Sequence, residues 1–283
     1  MPRKIADLKL ACVIAVCAIL QLSSSRAEDA PAGRRIFYSG HSFHMFIPSR
    51  VDQLAKSAAI KDHVTAGQQM IGGSRVIQHW DLTGDKATAK PALTAGQLDV
   101  FTMSPHMIIP DPGIDNFVDL GLKHNPNLTF FVQASWVPFD MTPDLKKITD
   151  NSQRDQTDLD AWQKANDTWR GQMEAQVDAL NTKYDKKAVF IVPVGDAVLA
   201  LRRSIKKGDF PGITKQSQLF RDPIGHGQGQ IMALTAYCNF AAIYKKSPIG
   251  LKLAEVGVST EQHAILQRIA WETVSKYERS GVK

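Results

Sequence analysis

Five short runs rich in β-branched and aromatic residues are spread along the chain, with turn-forming residues between them. The runs are residues 34–40, 62–66, 98–103, 128–133 and 188–194. Such runs predict β-strands, and the fourth and fifth are apolar at almost every position. Strands of that kind are typical of parallel sheets that are covered by helices on both faces.

Between these strands, apolar residues recur three and four positions apart, which predicts amphipathic helices. One helix is expected to begin at Pro48. Its buried face would carry Val51, Leu54, Ala55 and Ala58. A second helix is expected over residues 114–123. Because strands and helices alternate, we predict an α/β fold, a three-layer α/β/α sandwich around a mostly parallel sheet of about five strands.

Residues 141–187 interrupt this alternation with a charged segment that has no strand signal. Within it, a stripe of mostly apolar residues recurs at helical spacing: Leu159, Trp162, Asn166, Trp169, Met173, Val177, Leu180 and Tyr184. This pattern predicts one long amphipathic helix, inserted between the fourth and fifth strands. Two interpretations stay open, an extra helix packed on the domain and a lid or wall of the active site.

The first 27 residues have the pattern of a secretory signal peptide. Basic residues open the segment, residues 10–22 are apolar apart from one glutamine, and residues 25–27 resemble a small-x-small cleavage site. We therefore predict a signal peptide over residues 1–27 and a single domain over residues 28–283. The apolar stretch is too short for a stable membrane anchor, so we expect an exported bacterial protein, periplasmic or extracellular.

Removal of the signal peptide would change the cysteine and charge counts. Of three cysteines only Cys238 would remain, which excludes an internal disulfide and fits a bacterial periplasm or exterior. The 34 basic and 28 acidic residues would fall to 30 and 27, a balance that does not favour nucleic-acid or anionic-lipid partners. With 43% hydrophobic and 22% charged residues, the 283-residue chain is typical of globular proteins.

Glycines, histidines and small polar residues follow the predicted strands. In a parallel sheet, ligands bind outside the carboxyl ends of the strands, so these residues are candidates for chemistry. They are Gly40-His41-Ser42-Phe43, Gly72-Gly73-Ser74, Ser104-Pro105-His106, Gln133, Ser135 and Trp136. Asp222 and His226 stand before a later helix. A serine, glycine turns and a late aspartate and histidine could assemble a serine hydrolase.

These segments resemble the blocks of the SGNH/GDSL hydrolase family, in particular an exported bacterial branch whose first block reads Gly-Asn-Ser-Phe. The corresponding blocks here are Gly40-His41-Ser42-Phe43, then Ile71-Gly72-Gly73-Ser74 with His79-Trp80, and last Asp222, His226, Gly229 and Ser247-Pro248. The resemblance spans residues 34–250. It implies the flavodoxin-like SGNH hydrolase version of the predicted fold.

The resemblance also implies a catalytic Ser-His-Asp set. Ser42 would attack an ester carbonyl, His226 would act as general base and then acid, and Asp222 would orient the imidazole. Backbone N–H groups of Ser42 and Gly73, with Gly72 beside them, would stabilise the oxyanion. Glycine at position 73 would allow a close approach of the backbone to the substrate.

Two departures from the family pattern leave roles open. The third block lacks the asparagine that donates to the oxyanion in the family, and either Ser104 or His106 stands nearest its place. In the last block, three residues rather than two separate Asp222 from His226. A bulge could restore the geometry, or another acid could orient the histidine.

Three further residues are candidates for substrate contacts. His41 and His44 flank the predicted nucleophile, and Trp136 could either stack on a sugar ring or pack in the core. The histidine spacings match no zinc motif, so we expect no metal site and no cofactor.

The leading hypothesis is an exported serine esterase that removes acyl groups, with O-acetyl groups on carbohydrate as the expected substrate. That substrate class comes from the resemblance and the predicted export. The expected partner is thus a small-molecule or glycan ester and not nucleic acid. One alternative is a lipase-like or thioesterase activity on longer acyl chains. The other is a non-catalytic carbohydrate-binding or scaffold module, which both departures from the family pattern would favour.

Overall fold

A single five-stranded sheet forms the centre of the structure, a computed structural model that describes residues 30–141 and 147–282. The predicted signal peptide lies outside these residues. The strands are β1 Arg35–Gly40, β2 Val64–Met70, β3 Val100–Met103, β4 Thr129–Gln133 and β5 Val189–Val192. Every neighbouring pair is parallel, and the order across the sheet is β2-β1-β3-β4-β5.

Helices cover both faces of this sheet. The α-helices of the described ranges are α1 Ile47–Ser57, α2 Val76–Trp80, α3 Ala89–Thr94, α4 Pro112–His124, α5 Leu159–Lys183, α6 Val194–Lys207, α7 Gly229–Tyr244 and α8 Thr260–Lys276. None of these helices has both the length and the apolar character needed to cross a bilayer. The arrangement confirms the predicted three-layer α/β/α fold with a parallel sheet.

Each face of the sheet has its own apolar core. On one face, Ile36 and Tyr38 of β1 pack with α1, α6, α7 and α8. On the other face, Phe37, Phe101 and Phe130 pack with α3, α4 and α5. Successive side chains of a strand point to opposite faces, so β1 contributes residues to both cores. This explains why apolar residues do not alternate with polar ones over Ile36, Phe37 and Tyr38.

The second strand continues beyond the predicted residues 62–66 and ends at Met70. It lies at the edge of the sheet, where only one neighbouring strand covers it. Its residues alternate between partial burial and exposure over much of its length, so an exposed polar residue such as Gln68 is tolerated. Gln69 is buried, but its amide is hydrogen-bonded to the backbone of His79 and Ala89. A strand boundary predicted from hydrophobic residues alone therefore falls before the observed end of β2.

The segment 141–187 consists of a connection followed by a crossover helix. Every residue of the predicted stripe except Tyr184 is buried in α5. This helix joins β4 to its neighbour β5, and parallel neighbours require such a crossover. The additional part is therefore the connection before α5, which includes a 3₁₀ helix at Asn151–Gln156. Residues 142–146 lie outside the described residues.

Candidate active site

The loops after β1, β3 and β4 meet the loop that precedes α7. Ser42 follows β1, and His226 lies 184 positions later in the chain. Nevertheless, Nε2 of His226 lies 2.9 Å from Oγ of Ser42. The other ring nitrogen, Nδ1, lies 2.6 Å from Oδ2 of Asp222. The structure thus brings together the three residues that the sequence suggested as a Ser-His-Asp set.

A tight turn accommodates the extra residue between Asp222 and His226. Gly225 has a φ of +103°, which favours glycine. Its N–H donates to the main-chain oxygen of Asp222 at 3.1 Å and to Oδ1 of the same residue at 3.0 Å. The N–H of His226 also donates to this Oδ1, at 3.2 Å. The turn therefore lets Asp222, and not another acid, reach the imidazole.

The hydrogen bonds around Asp222 define the state of the imidazole. Partial burial opposes the charge of Asp222, but the hydrogen bonds from the His226 ring and from two backbone N–H groups outweigh it and lower the pKa of Asp222. An ionised carboxylate can only accept, so Nδ1 of His226 carries the proton. Nε2 is then free to accept the proton of the Ser42 hydroxyl.

Two buried side chains hold the loop before α7. The indole Nε1 of Trp136 donates to the main-chain oxygen of Gly225 at 2.9 Å. The guanidinium of Arg154 donates to the main-chain oxygens of Pro223 at 3.0 Å and Asp222 at 3.4 Å. Trp136, which the sequence suggested for substrate contact, is almost fully buried and lies against the pocket at the same time. Both side chains act on the backbone of this loop.

A buried ion cluster anchors Arg154. Its guanidinium contacts one oxygen of Asp140, and the other oxygen accepts from Arg202 at 2.5 Å and from Thr157 at 2.6 Å. Burial lowers the pKa of Arg154 to about 10, so this side chain is charged at neutral pH. Two guanidinium groups therefore share one carboxylate in the interior, directly behind the loop before α7.

Phe43, the neighbour of Ser42, packs against both sides of the site. Its ring stacks on Trp136 with 4.4 Å between centroids and meets the His226 ring edge-on at 5.5 Å. Its backbone oxygen accepts from Nε2 of Gln133 at 3.0 Å. These contacts fix the nucleophile loop relative to the histidine and to the end of β4.

His41 forms a neutral part of the pocket wall. Its Nδ1 accepts from the N–H of Phe43 at 3.2 Å, so Nε2 carries the proton and lies 3.3 Å from the main-chain oxygen of Pro105. Burial lowers the pKa of His41 to about 3. This side chain is therefore placed to contact a substrate but carries no charge at neutral pH.

The structure does not bring His44 to the pocket. This residue is fully buried, and its ring joins two strand ends: Nδ1 donates to Oε1 of Gln133 at 2.9 Å, and Nε2 accepts from Oγ1 of Thr102 at 2.8 Å. Burial lowers its pKa to about 4. The turn after Ser42 points His44 into the protein, where it supports the nucleophile loop instead of a ligand.

Two backbone N–H groups border the pocket beside the nucleophile. Those of Ser42 and Gly73 donate no hydrogen bond to any other described residue, and both residues line the same pocket. Gly73 has a φ of +64°, and a Cβ at this position would meet no protein atom within 4 Å. Glycine therefore serves the backbone conformation and leaves the space beside the N–H open. Gly72 is exposed and does not line this pocket.

The turn that contains Gly73 is braced by a serine and a histidine. Oγ of Ser74 donates to the main-chain oxygen of Ile71 at 2.9 Å and accepts from Nε2 of His79 at 2.7 Å. The amide of Gln69 lies 3.3 Å from Nδ1 of His79. Burial lowers the pKa of His79 to about 4. The histidine of the second sequence block therefore supports the turn as a neutral donor.

Of the two residues nearest the place of the missing asparagine, only His106 lines the pocket. Its Nδ1 is buried without a hydrogen-bond partner in the described part of the chain, and burial, assisted by Arg75, lowers the pKa of His106. Ser104 lies behind the wall, with Oγ 3.3 Å from both Nε2 of His41 and Oγ of Ser135. The geometry therefore favours His106 over Ser104 as a group that faces a ligand.

A cavity of about 220 Å³ lies beside Ser42. Its walls are formed by His41, Ser42, Phe43, Gly73, Pro105, His106, Met107, Ser135, Trp136, Pro138, Phe139, Trp169 and Ile224. Trp169 comes from α5, so the long helix contributes to one wall. Trp162 of the same helix is not part of this wall and lies against the guanidinium of Arg202. Among the described residues, no group of three or more His, Cys, Asp or Glu side chains is arranged to hold a metal ion.

Comparison with known proteins finds similar solved structures at low sequence identity. No protein-family model matches the chain, and no curated protein matches it. The crystal structure of a DUF4886 family protein from Bacteroides uniformis is similar with a TM-score of 0.57 and 12% identity, over 87% of this chain and 95% of that chain.

Two further solved structures are similar at lower scores. A provisionally assigned SGNH hydrolase from Slackia heliotrinireducens has a TM-score of 0.45 and 13% identity, over 74% of this chain and 97% of that chain. A provisionally assigned GDSL-like lipase from Parabacteroides merdae has a TM-score of 0.43 and 10% identity, over 75% and 96%. At 12% identity, the likeness to the DUF4886 family protein concerns the overall fold alone.

Proposed function

We propose that this protein is a serine hydrolase that cleaves carboxylic esters through an acyl-enzyme. The observation that carries the proposal is the pair of hydrogen bonds from Ser42 through His226 to Asp222, at 2.9 and 2.6 Å. A serine hydroxyl alone is a weak nucleophile, and a neutral imidazole bonded to it, oriented by a carboxylate, is the usual means of activation. The resemblance of the sequence blocks to SGNH/GDSL hydrolases supports the same class.

In the first half of the reaction, Oγ of Ser42 attacks the ester carbonyl carbon while Nε2 of His226 takes its proton. The imidazolium that forms is stabilised by the carboxylate of Asp222. The tetrahedral intermediate then collapses, and the carbon–oxygen bond to the alcohol breaks. Nε2 returns the proton to the departing alcohol oxygen, which leaves the acyl group on Ser42.

In the second half, a water molecule attacks the acyl-enzyme and His226 accepts its proton. When the second intermediate collapses, the bond between the acyl carbon and Oγ of Ser42 breaks and Nε2 of His226 returns the proton to Oγ. This releases the carboxylic acid and restores the hydroxyl of Ser42. In both halves, the free N–H groups of Ser42 and Gly73 donate to the oxyanion, and His106 is the candidate third donor. Donors of this kind stabilise the charge that develops only in the transition state.

The resemblance and the predicted export favour O-acetyl esters of carbohydrate as substrates, outside the bacterial cytoplasm. The alternative activity on longer acyl chains is favoured by a specific observation, the apolar cavity beside Ser42. A non-catalytic binding module is the competing function. Binding alone would not require a serine hydroxyl that is hydrogen-bonded to a histidine base.

Covalent labelling distinguishes the enzyme from the module. A fluorophosphonate probe should modify the mature protein at Ser42, as found by peptide mapping, and Ser42→Ala should abolish the label. His226→Ala should slow labelling strongly because the nucleophile loses its base. Ser49→Ala is the control, since Ser49 is an exposed serine of α1. A folded wild-type protein that takes no label and hydrolyses no ester would favour the binding module.

A further inference from the structure

The cavity beside Ser42 suggests what the enzyme cleaves. Resting on the proposed esterase activity, we infer that this cavity binds the acyl part of the substrate and that the acyl group is an apolar chain of about four to eight carbons. This acyl group is larger than the acetyl group that the sequence favours.

The volume of the cavity is the first argument. An apolar cavity of about 150 Å³ accepts benzene, which has six carbons. The cavity here has about 220 Å³, and on the same scale it holds a chain of about eight carbons. An acetyl group would contribute one methyl group and leave most of the apolar wall without a partner.

The chemistry of the wall is the second argument. Eight of the side chains are apolar: Phe43, Pro105, Met107, Trp136, Pro138, Phe139, Trp169 and Ile224. None of the described residues that line the cavity is Asp, Glu, Lys or Arg. Of the polar ones, Ser42 and His106 are the proposed nucleophile and oxyanion donor at the reacting carbonyl. His41 is uncharged, and Ser135 already accepts from Gln133 at 2.8 Å. A sugar ring needs many hydrogen-bond partners, whereas an alkyl chain needs none, so this wall fits the alkyl chain.

The position of the base decides which half of the ester enters the cavity. The leaving alcohol must lie near Nε2 of His226, which gives it a proton. The side chains of His226 and Asp222 are 23% and 35% exposed and do not line the cavity. The alcohol therefore leaves on the solvent side. The acyl group, on the other side of the carbonyl carbon, then occupies the cavity, whose wall includes Met107 and Trp169.

A series of p-nitrophenyl esters from acetate to dodecanoate tests the inference, because the leaving group stays constant. For the wild-type protein, kcat/KM should rise roughly fourfold per methylene up to about six to eight carbons and then level or fall. In Met107→Trp, which fills the cavity, the hexanoate-to-acetate ratio of kcat/KM should fall by roughly 10²-fold. Ile108→Trp is the matched control, since Ile108 follows Met107 in the chain but is 54% exposed and does not line the cavity.

The outcomes separate the two proposals. An active enzyme whose kcat/KM is highest for acetate, with the same ratio in both tryptophan variants, would overturn the acyl cavity and leave the esterase intact. Absence of hydrolysis for every ester, together with no fluorophosphonate label on Ser42, would overturn the esterase itself. If Met107→Trp does not fold, Met107→Phe makes a smaller change. The wild-type chain-length profile decides the question without either variant.

Discussion

The indole nitrogen of Trp136 donates a hydrogen bond to the main-chain oxygen of Gly225 at 2.9 Å, and Gly225 directly precedes His226. Trp136 follows the end of β4, so the central sheet itself holds the backbone of the loop that carries the candidate base. The ring of the same tryptophan stacks on Phe43, beside the candidate nucleophile. One side chain therefore fixes the two halves of the site relative to each other.

Replacement of Trp136 by phenylalanine should lower kcat by about fivefold, because the stacked ring stays while Gly225 loses a donor worth about 1 kcal/mol. Because Trp136 is buried and also lines the cavity, KM and the melting temperature should change as well, and comparison with a second buried tryptophan separates the lost hydrogen bond from the smaller ring. Steady-state kinetics and thermal unfolding measure these effects. Trp162→Phe is the control, since the indole nitrogen of Trp162 has no partner in the described part of the chain. Equal loss of kcat in both variants would refute the positioning role.

The candidate triad should act as a unit. Ser42→Ala should reduce kcat by about 10⁴-fold or more, and the further change His226→Ala should cost little, since a base without its nucleophile has nothing to activate. Asp222→Asn should be milder than either, because it disturbs the imidazole tautomer and leaves the nucleophile in place. Hydrolysis of a p-nitrophenyl ester by the three single variants and by the double variant Ser42→Ala/His226→Ala measures these losses. Additive losses in the double variant would contradict a shared mechanism.

The buried cluster of Asp140 with Arg154 and Arg202 should be essential for stability. Asp140→Asn leaves two buried guanidinium groups without their carboxylate, and we expect a loss of about 3–5 kcal/mol in the free energy of unfolding. Asp160→Asn is the matched control, since this carboxylate is 90% exposed and pairs with Arg203 at the surface. It should cost less than about 1 kcal/mol. Urea unfolding compares the two, and similar losses would contradict the buried pairing.

Three buried histidines should make the protein sensitive to acid. In the unfolded chain they titrate near 6.5, whereas burial lowers the pKa of His41 to about 3 and those of His44 and His79 to about 4. Between these values the unfolded state binds more protons. The stabilisation is therefore complete above about pH 6.5 and is lost as the pH falls toward 4.

Urea unfolding at a series of pH values between 7.5 and 4.5 measures this dependence. His79→Gln should make the loss of stability with acid less steep by up to one proton per molecule. His124→Gln, at an exposed position of α4, should leave the slope unchanged. A slope in His79→Gln that equals that of the wild type would show that His79 is protonated in the folded protein.

The fold was predictable because β4 and β5 are apolar at almost every position, as in parallel sheets covered by helices, and because strands alternate with helices along the chain. Ser42, Asp222 and His226 were predictable as candidates because their chemistry is specific and they stand at the ends of elements. The structure adds that Gly225 resolves the longer Asp–His spacing, which required a positive φ that no sequence pattern shows.

The supporting residues were not predictable in the same way. Arg154 lies in a charged stretch that reads as solvent-exposed, and its burial depends on Asp140, 14 positions away, and on Arg202, which Asp140 also contacts. Such pairing is set by the tertiary structure. His44 was expected at the substrate site but is buried away from it. Its nearness to Ser42 in sequence does not determine which side of the turn its side chain faces.

The brace beneath Gly73 provides a test of the candidate oxyanion hole. Oγ of Ser74 bridges the main-chain oxygen of Ile71 and Nε2 of His79. Ser74→Ala removes both hydrogen bonds and leaves the buried donor of His79 unpaired. This should destabilise the turn by about 1–3 kcal/mol and make it more mobile. The N–H of Gly73 would then point less accurately at the oxyanion.

Because an oxyanion donor acts mainly in the transition state, Ser74→Ala should lower kcat by about 10- to 100-fold with little change in KM. This loss should be smaller than the 10²- to 10³-fold that removal of a donor typically causes. The pH profile of kcat/KM should keep its shape, since the pair of Asp222 and His226 is untouched. Ser49→Ala again serves as the control. A Ser74→Ala enzyme that melts at a lower temperature yet keeps full kcat would show that the turn stabilises the fold and takes no part in the reaction.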